Sequence, residues 1–315
     1  MTDEPVVAVL GEPLLELSSD ESLDRATGFA LSFSGDALNA AAAVAAAGVR
    51  AELVSRVGDD EMAGRLLAYA RELGVGTDGV QRCQEPTGAY LVGADPDGRR
   101  DFVYLRSGSA AAAMRPDDLA GTAIEYAAVL VTSGIAMASS STMGATVLAA
   151  ARQVHDRGGL VVHDPNFRRR LSTPETAREN LAELAPHLSL VVPSAPADTT
   201  ALVDTADAAT AIERLRGLGC RRVLVTCGSE GALLSDPDDG PPRHVPAVPA
   251  QDVVDSTGAG DVFLGTLAAG LARSPLDEDL IRRAHAAAAL SLGARGGTGR
   301  LAGYDDVEAL ARRQA

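Results

Sequence analysis

A short glycine-containing segment near the C-terminus has the residue types needed to bind an anion and to accept a proton. It runs Asp255-Ser256-Thr257-Gly258-Ala259-Gly260-Asp261 and continues into the apolar stretch VFLGTLAAGLA, which predicts a helix. Gly258 and Gly260 allow successive N–H groups to turn to one side, where the positive end of the helix adds to them. Asp261 then lies in the first helical turn, where its carboxylate can take a proton from a hydroxyl that attacks phosphorus. The structural alternative is a glycine N-cap with an aspartate placed favourably against the helix dipole.

The charged residues limit how the chain can hold a phosphate. All 28 basic residues are arginine, and 43 acidic residues bring the formal net charge to −15 over 315 residues. Without lysine the chain cannot form a Walker A loop or a Schiff base. Any phosphate must therefore be held by backbone N–H groups, arginine or a metal ion. The acidic balance also disfavours nucleic acids and anionic membranes as partners.

Cysteine and histidine usage indicates the compartment and the metal chemistry to expect. Cys83, Cys220 and Cys227 are odd in number, widely spaced and without a CxxC pair, which favours a reducing, cytoplasmic location. The 5 histidines are dispersed along the chain, which disfavours a zinc site. The segment Met1–Pro5 has no signal-peptide features, and no apolar run approaches the ~20 residues of a membrane helix, so we expect a soluble protein.

Short β-rich runs alternate with helical stretches, which predicts an α/β fold with a mainly parallel central sheet covered by helices. The predicted strands are Val6–Leu10, Ala51–Val54, Val129–Thr132, Leu160–His163, Leu190–Val192 and Val223–Thr226. The predicted helices are Asp36–Ala47, Glu61–Leu73, Ser140–Asp156, Ala177–Leu184 and Ala208–Leu218. The strands are almost wholly apolar, as expected for strands buried on both faces. The proline-rich stretch Pro237–Pro249 predicts an irregular connection.

Two segments, Leu14–Phe33 and Thr87–Leu105, depart from this alternation. The second contains GAYLVG and DFVYL around the turn Asp95-Pro96-Asp97-Gly98, which predicts a hairpin. We expect the two segments to form a small β-sheet lid, from about residues 12–34 and 86–107, over one edge of the main sheet. The chain would then be a single domain over residues 1–315. The alternative is a pair of surface loops.

Several segments in register across nearly the whole chain resemble the ribokinase-like (PfkB) carbohydrate kinases. They are Gly11-Glu12, the stretch SGDALNA from Ser34 to Ala40, Val57-Gly58-Asp59-Asp60 with Gly64, the stretch GSEG from Gly228 to Gly231, and the motif that ends at Asp261. The resemblance implies a three-layer α/β/α sandwich, with ATP and Mg²⁺ as cofactors, and leaves a monovalent cation open. It also implies that Asp261 is the catalytic proton acceptor and that the amides of Gly258, Ala259 and Gly260 stabilise the transferring phosphoryl group.

Within this family the resemblance is closest to the 2-keto-3-deoxygluconate kinases. It is carried by TGAY ending at Tyr90, YLRSGSA beginning at Tyr104, and DPNFR from Asp164 to Arg168. In those kinases the corresponding tyrosines and arginines hold a keto acid, and a guanidinium fork suits a planar carboxylate. The residues that the resemblance places at the sugar are Gly35, Asp36, Asn39, Tyr90, Tyr104, Arg106, Arg168 and Asp261.

Most of these residues also have a structural interpretation. Tyr90 and Tyr104 suit the apolar face of a hairpin. Arg106 suits an exposed strand end, and Arg168 begins the run RRR, which is also typical of a solvated basic cluster. Asp36 opens a predicted helix and could serve only as its cap.

The same resemblance implies a nucleotide site and a way to handle the metal. The implied nucleotide-binding residues are Ser194, Thr226, Gly228, Ser229, Gly231, Gly258, Gly260 and Ala286, with Ser256 as a further hydroxyl. Ala286 would lie on the last helix beside the adenine, although small residues there equally suit close helix packing. The family's Asn-x-x-Glu acid is absent, because the corresponding positions are SAPA from Ser194 onwards. No direct metal ligand is predicted; Mg²⁺ would be held through water and phosphates, with Asp164 or Asp198 as candidates.

Together these observations predict an ATP-dependent kinase that phosphorylates the primary hydroxyl of a small sugar acid. The expected substrate is 2-keto-3-deoxygluconate and the expected product is its 6-phosphate. A fructokinase- or ribokinase-like kinase of a neutral sugar and a non-catalytic sugar-binding protein stay open as alternatives. A dehydrogenase is disfavoured because no dinucleotide fingerprint follows a strand. We also expect a homodimer through the lid, whose strand edges need covering.

Overall fold

The computed structural model describes residues 4–94, 100–238 and 240–313. The strands are β1 (Val6–Leu10), β2 (Leu14–Ser19), β3 (Ala30–Ser34), β4 (Arg50–Gly58), β5 (Val75–Gly76), β6 (Val80–Cys83), β7 (Ala89–Ala94), β8 (Arg100–Leu105), β9 (Val129–Ser133), β10 (Leu160–Asp164), β11 (Leu190–Val191), β12 (Val223–Thr226), β13 (Ala232–Ser235) and β14 (Arg243–Val245). The helices are α1 (Asp36–Ala46), α2 (Glu61–Glu72), α3 (Gly134–Ser139), α4 (Ser141–Asp156), α5 (Pro174–Leu184), α6 (Ala197–Val203), α7 (Ala208–Gly217), α8 (Ala259–Leu271), α9 (Glu278–Ser291) and α10 (Tyr304–Arg312).

The central sheet has the strand order β14-β13-β12-β11-β10-β9-β1-β4-β5, with β6 also paired to β4. Strands from β5 across to β12 run parallel, and β13 and β14 continue the sheet in antiparallel fashion. The mainly parallel sheet predicted from the sequence is therefore confirmed. Because the parallel strands all end on the same side, the loops that follow β9, β10, β11 and β12 share one edge of the sheet.

Alternate residues of each central strand face two separate apolar layers. On β1, Val6, Ala8 and Leu10 pack into the layer formed with α4, α5 and α7. Val7 and Val9 face the opposite layer, formed with α1, α8 and α9. Successive side chains of a strand point to opposite faces, so a strand covered by helices on both sides must be apolar throughout. The three-layer α/β/α arrangement is thus confirmed.

A second, smaller sheet has the order β3-β2-β7-β8. Strands β7 and β8 form the antiparallel hairpin predicted from the alternating sequence, with Tyr90 directly opposite Tyr104. The turn predicted at Asp95–Gly98 lies outside the described residues, as do Met1, Thr2 and Asp3. Strand β2 pairs in parallel with β7, which joins the two non-contiguous segments. We call this four-stranded unit the small sheet.

The structure also contains elements that the sequence did not predict. Helix α3 has 6 residues and lies between β9 and α4, too short to show a helical period. The predicted connection Pro237–Pro249 contains the edge strand β14. Helix α10 follows α9, so Ala286 is on the penultimate helix rather than on the last one. No helix among the described residues is long and apolar enough to cross a membrane.

Candidate active site

The carboxyl ends of the parallel strands and the small sheet enclose one large cleft. Its volume is about 1780 Å³, counting the open space at its mouth. The candidate residues that line it are Gly35, Asp36, Asn39, Tyr90, Tyr104, Arg106, Asp164, Arg168, Ser194, Asp198, Thr226, Ser256, Gly258, Gly260 and Asp261. Most residues assigned to the sugar, the phosphate and the metal therefore meet in one place.

The helix that follows the glycine motif begins where the sequence predicted. Gly258 is the N-cap of α8 with φ 77°, and Asp261 lies in the first turn of the helix. The first N–H groups of a helix have no partner within it, which leaves the amides of this turn directed toward the cleft. Of the three amides assigned to the phosphoryl group, that of Ala259 makes a long hydrogen bond of 3.4 Å to the carbonyl of Ser256. The N-terminus of α8 is therefore a suitable anion site.

Asp261 is held in place by a residue from the other end of the chain. The Asn39 side-chain amide on α1 donates a hydrogen bond of 2.8 Å to Oδ2 of Asp261. Burial and the negative charge of Asp36 together raise the pKa of Asp261 to about 7, although the Asn39 hydrogen bond and the Arg168 cation oppose the shift. A carboxylate with a pKa near neutrality is well suited to accept a proton in one step and release it in another.

Close glycine contacts build the surroundings of Asp261. A Cβ on Gly297 would collide with the Asn39 side chain, and a Cβ on Gly258 would collide with Gly297. Asp255 connects the same parts, because its carboxylate accepts hydrogen bonds from the amide of Thr257 at 2.8 Å and from that of Gly296 at 2.9 Å. Asp255 had no role assigned from the sequence. The glycines of both loops thus permit the close approach that positions Asn39.

Aromatic side chains of the small sheet form the opposite wall of the cleft. Tyr90 is buried and donates a hydrogen bond to the carboxylate of Glu16, and burial together with that carboxylate raises its pKa. Phe102 lies between the two tyrosines, with ring centroids 5.9 Å from Tyr90 and 6.4 Å from Tyr104. Phe102 was not predicted to line the cleft, although its alternation with Tyr104 and Arg106 along the sequence indicated that the three share one face.

Arg106 lines the cleft but already has an anionic partner. Its guanidinium forms a salt bridge with Glu12, and both side chains are buried, at 6% and 2% exposure. Burial raises the pKa of Glu12, whereas Arg106 and the hydroxyl of Ser109, which donates a hydrogen bond to Glu12, favour its charged form. The positive charge of Arg106 is therefore largely compensated within the protein.

Arg168 is the more available cation. It is exposed, and its Nη1 donates a hydrogen bond of 3.0 Å to the carbonyl of Phe167. The loop that carries it follows β10 and contains Asn166, which has the left-handed φ of 39° and donates its backbone N–H to Asp164 at 2.9 Å. This turn directs Arg168 to the cleft, where its positive charge acts on Asp164 and Asp261. No salt bridge engages its guanidinium among the residues that the structure describes.

Asp198 connects two loops of the cleft. Its Oδ1 accepts the backbone N–H of Phe167 at 2.7 Å, and its Oδ2 accepts the backbone N–H and the hydroxyl of Ser194 at 2.8 and 2.7 Å. Because Asp198 is buried with both oxygens engaged, its observed role is to join the loop after β10 to the loop after β11. This does not favour Asp198 as a metal ligand.

Asp164 is a better candidate to face a cation. Burial raises its pKa well above the usual range, and the negative charges of Asp198 and Asp261 raise it further. Its carboxylate lines the cleft and offers the hard oxygen that Mg²⁺ prefers as a ligand. The residues present therefore fit a hydrated Mg²⁺ bound at Asp164.

The candidate nucleotide residues are only partly brought together. Ser194 and Thr226 lie side by side through an isolated parallel β-bridge. Gly228, Ser229 and Gly231 belong to a turn just beyond β12 and are not among the residues that line the cleft. Gly231 has φ 102°, and a Cβ there would collide with the backbone of Val245. Ala286 is fully buried in the cluster that contains Val262 and Val307, so the structure assigns it to helix packing and does not bring it to the cleft.

A helix N-terminus that can bind phosphate, beside a buried carboxylate that can take a proton, defines a phosphotransferase that acts on an alcohol. The model of the pfkB family carbohydrate kinases matches residues 6–301. The chain belongs to this family, and it is a carbohydrate kinase.

The chain is similar over most of its length to named members of the family. It is 30% identical over 311 residues to the 2-dehydro-3-deoxygluconokinase of Thermoproteus tenax, covering 96% of this chain and 93% of that protein. It is 31% identical over 299 residues to the 2-dehydro-3-deoxygalactonokinase of Haloferax volcanii, covering 91% of each. The structure of a fructokinase with bound ATP from Xylella fastidiosa has the same fold, with a TM-score of 0.86, 24% identity and 98% of each chain covered.

Proposed function

We propose that this carbohydrate kinase transfers the γ-phosphoryl group of ATP to the primary hydroxyl of 2-keto-3-deoxygluconate and produces the 6-phosphate. The observation that carries the proposal is that Asp261, with its pKa near 7, lies at the N-terminus of α8 in the same cleft as Arg168. The similarity to relatives named for 2-dehydro-3-deoxy sugar acids supports this choice of substrate class.

In this mechanism Asp261 takes the proton of the attacking hydroxyl. The hydroxyl oxygen forms a bond to the γ-phosphorus as the bond from that phosphorus to the bridging oxygen breaks, and ADP leaves. Phosphoryl transfer needs mainly positioning and charge stabilisation, with proton removal late in the step. The amides of Gly258, Ala259 and Gly260 would stabilise the negative charge on the transferring group without any lysine.

The nucleotide would lie on the side of the cleft formed by the loops after β11 and β12. Ser194, Thr226 and Ser256 line that side with hydroxyl groups, whereas Gly228, Ser229 and Gly231 would contact the nucleotide only from the rim. Bound Mg²⁺ neutralises phosphate charge, and Asp164 is the residue that would hold it, through water or directly.

The sugar acid would lie between the small sheet and α1. Arg168 would pair with the carboxylate of the substrate, and Gly35, Asp36 and Asn39 would hold its hydroxyls. The aromatic wall of Tyr90, Phe102 and Tyr104 would close over the carbon chain and exclude water, which limits the hydrolysis of ATP.

A kinase of a neutral sugar is the second candidate, and one observation favours it. Arg106 is neutralised by Glu12, which leaves Arg168 as the less compensated of the two arginines assigned to the substrate carboxylate. A neutral acceptor would need no second arginine.

An ADP-release assay over a panel of acceptors tests the proposal. The panel contains 2-keto-3-deoxygluconate, its C4 epimer, gluconate, fructose and ribose, each with Mg²⁺ and ATP. We expect kcat/KM for 2-keto-3-deoxygluconate to exceed that for fructose and ribose by at least about 100-fold, the scale of a lost charge-assisted contact. A preference for fructose or ribose would instead support the neutral-sugar candidate, and no turnover of any acceptor would support a binding protein.

We further propose that two copies associate through the small sheet. Strand β8 is an edge of this sheet, and its outward side chains Val103 and Leu105 are 44% and 55% exposed. An apolar edge strand is a site for pairing with another chain. Sedimentation at micromolar concentration should show a dimer, and Val103→Asp should shift it to monomer.

A further inference from the structure

Two dispersed histidines converge on the side of the molecule opposite the cleft. His155 and Asp156 end α4, and His187 ends the short 3₁₀ turn Ala185–His187 that follows α5. Their possible ligand atoms, two imidazole nitrogens and a carboxylate oxygen, all lie within 4.8 Å of one another. We propose that His155, Asp156 and His187 bind one late first-row divalent metal ion, such as Zn²⁺ or Ni²⁺.

The chemistry of these three groups suits such an ion. Zn²⁺ binds imidazole nitrogen and carboxylate oxygen at about 2.0–2.2 Å, so its tetrahedral ligands lie about 3.4 Å apart. Separations of up to 4.8 Å would have to shorten by at most about 1.4 Å for such an ion to bind all three groups. Imidazole is favoured by Zn²⁺, Ni²⁺ and Cu²⁺ over Mg²⁺, which prefers oxygen ligands alone. The site would therefore be chemically distinct from the carboxylates of the cleft.

The three side chains are free to take a ligand. In the described parts of the chain no hydrogen bond or salt bridge engages the side chain of His155 or Asp156, and Nδ1 of His187 is buried without a hydrogen-bond partner. The two imidazole rings contact each other edge to face, with centroids 5.5 Å apart. The guanidinium of Arg152 lies close enough to His187 to act on it electrostatically.

The backbone that carries these residues is fixed by the core. Val154, directly before His155, is fully buried, and Ala185 and Leu188 on either side of His187 are also buried. They belong to one apolar cluster, so the end of α4 and the turn before β11 are held against each other. A metal ion would join two elements that are already in position, which reduces the entropy cost of binding.

The site is far from the chemistry of the cleft. Helix α4 has 16 residues and is therefore about 24 Å long. It runs antiparallel to β9 and β10, so its C-terminus lies near the start of the strands rather than near their carboxyl ends. We therefore expect the metal to stabilise the fold and to leave phosphoryl transfer unchanged.

The test is a calorimetric titration of the untagged, EDTA-treated chain with ZnCl₂ in a buffer that contains millimolar Mg²⁺. We compare the natural sequence with the double variant His155→Ala/His187→Ala, and use His244→Ala as the matched control. His244 is exposed and bonded to the carbonyl of Glu230, away from the cluster. We expect one more Zn²⁺ per chain for the natural sequence and for the control than for the double variant. Any Zn²⁺ that enters the cleft is common to all three proteins.

Two further measurements sharpen the result. Zn²⁺ should raise the melting temperature of the natural sequence by a few degrees but not that of the double variant, because only the folded state holds the site. Arg152→Gln removes the neighbouring cation and should tighten Zn²⁺ binding by about threefold. Equal Zn²⁺ stoichiometry in the natural sequence and the double variant would overturn the proposal, as would unchanged or weaker binding by Arg152→Gln. Kinase activity measured without Zn²⁺ serves as the folding control for every variant.

Discussion

Asn39 and Asp261 are 222 residues apart in sequence, yet the side-chain amide of Asn39 donates a 2.8 Å hydrogen bond to the carboxylate of Asp261. The bond connects the first helix to the helix whose N-terminus faces the cleft. It both orients the carboxylate toward the acceptor and favours the ionised form, which is the form that can remove a proton. The relationship makes the activity sensitive to a residue that does not itself take part in proton transfer.

The first prediction concerns the pH dependence that this bond controls. The pKa of Asp261 is about 7, so activity should rise with pH through an acid limb near neutrality. Asn39→Ala removes a donor to the charged form, which should raise the pKa and move the limb upward by about one pH unit. The measurement is kcat/KM against pH. Asn180→Ala on α5, outside the cleft, is the control and should leave the limb in place.

The second prediction concerns Asp261→Asn. Loss of the proton acceptor should lower kcat by at least about 100-fold, with little change in the affinity for the sugar. Near-normal turnover in this variant would refute the role of Asp261.

The same variant should also change stability with a definite sign. The pKa of Asp261 is raised from 3.8 to about 7, so the folded chain binds a proton more tightly than the unfolded chain. Stability must then fall as pH rises through this window, because ionisation opposes burial. Asp261→Asn should therefore be more stable than the natural sequence at pH 8, by about 1–3 kcal/mol after allowance for solvent. The difference should vanish below pH 4, as urea unfolding would show.

The third prediction separates the two arginines of the cleft. Arg168→Ala should raise KM for the sugar acid by at least about tenfold and leave the stability unchanged, because Arg168 is exposed. Arg169 is the next residue and is also exposed, so Arg169→Ala is a matched control. We expect its KM for the sugar acid to be unchanged.

Arg106→Ala should behave differently, because it leaves the carboxylate of Glu12 buried without its partner. Breaking a buried ion pair costs about 3–5 kcal/mol. Replacing both members, with Glu12→Gln and Arg106→Gln, should recover part of that loss in denaturant unfolding. A loss in the double variant equal to the sum of the losses in the two single variants would show that the pair is not coupled.

The fourth prediction concerns Asp198, which joins the loop of Arg168 to the loop of Ser194. Asp198→Ala leaves the amides of Phe167 and Ser194 without acceptors, so we expect KM to rise for both the sugar and ATP, with a loss of about 2–3 kcal/mol in stability. The control is Asp207→Ala, which removes a carboxylate in another part of the fold. Asp207 caps α7 and accepts a backbone N–H at 2.8 Å. This variant should lower the free energy of unfolding by about 1 kcal/mol and leave both KM values unchanged.

Much of the main sheet could be predicted because its signal is local. Strands β1 and β12 have the predicted bounds, since each is a short apolar run between turn residues. The meeting of Asp164, Ser194 and Thr226 also follows from the sequence, because parallel strands end at one edge of the sheet. The pattern of the chain thus predicts which residues share the cleft.

The pairings within the cleft could not be predicted in the same way. Nothing in the sequence indicates that Glu12 neutralises Arg106, because the pairing depends on how two distant segments pack. The same holds for the convergence of His155 and His187, which the dispersed spacing of the histidines disfavoured. Ala286 was assigned to the nucleotide from the sequence, but a small residue suits a ligand contact and close helix packing equally well. Its complete burial in the structure favours packing.

The parallel pairing of β2 with β7 has a consequence for the activity of partly unfolded molecules. Leu15 pairs with Ala89, 74 residues further along the chain, so the small sheet depends on a long-range contact. Because long-range pairings close large loops and form slowly, we expect the aromatic wall of the cleft to assemble late and to open early when the fold is destabilised. A partly unfolded molecule would then lose its sugar site and become inactive, rather than hydrolyse ATP without an acceptor.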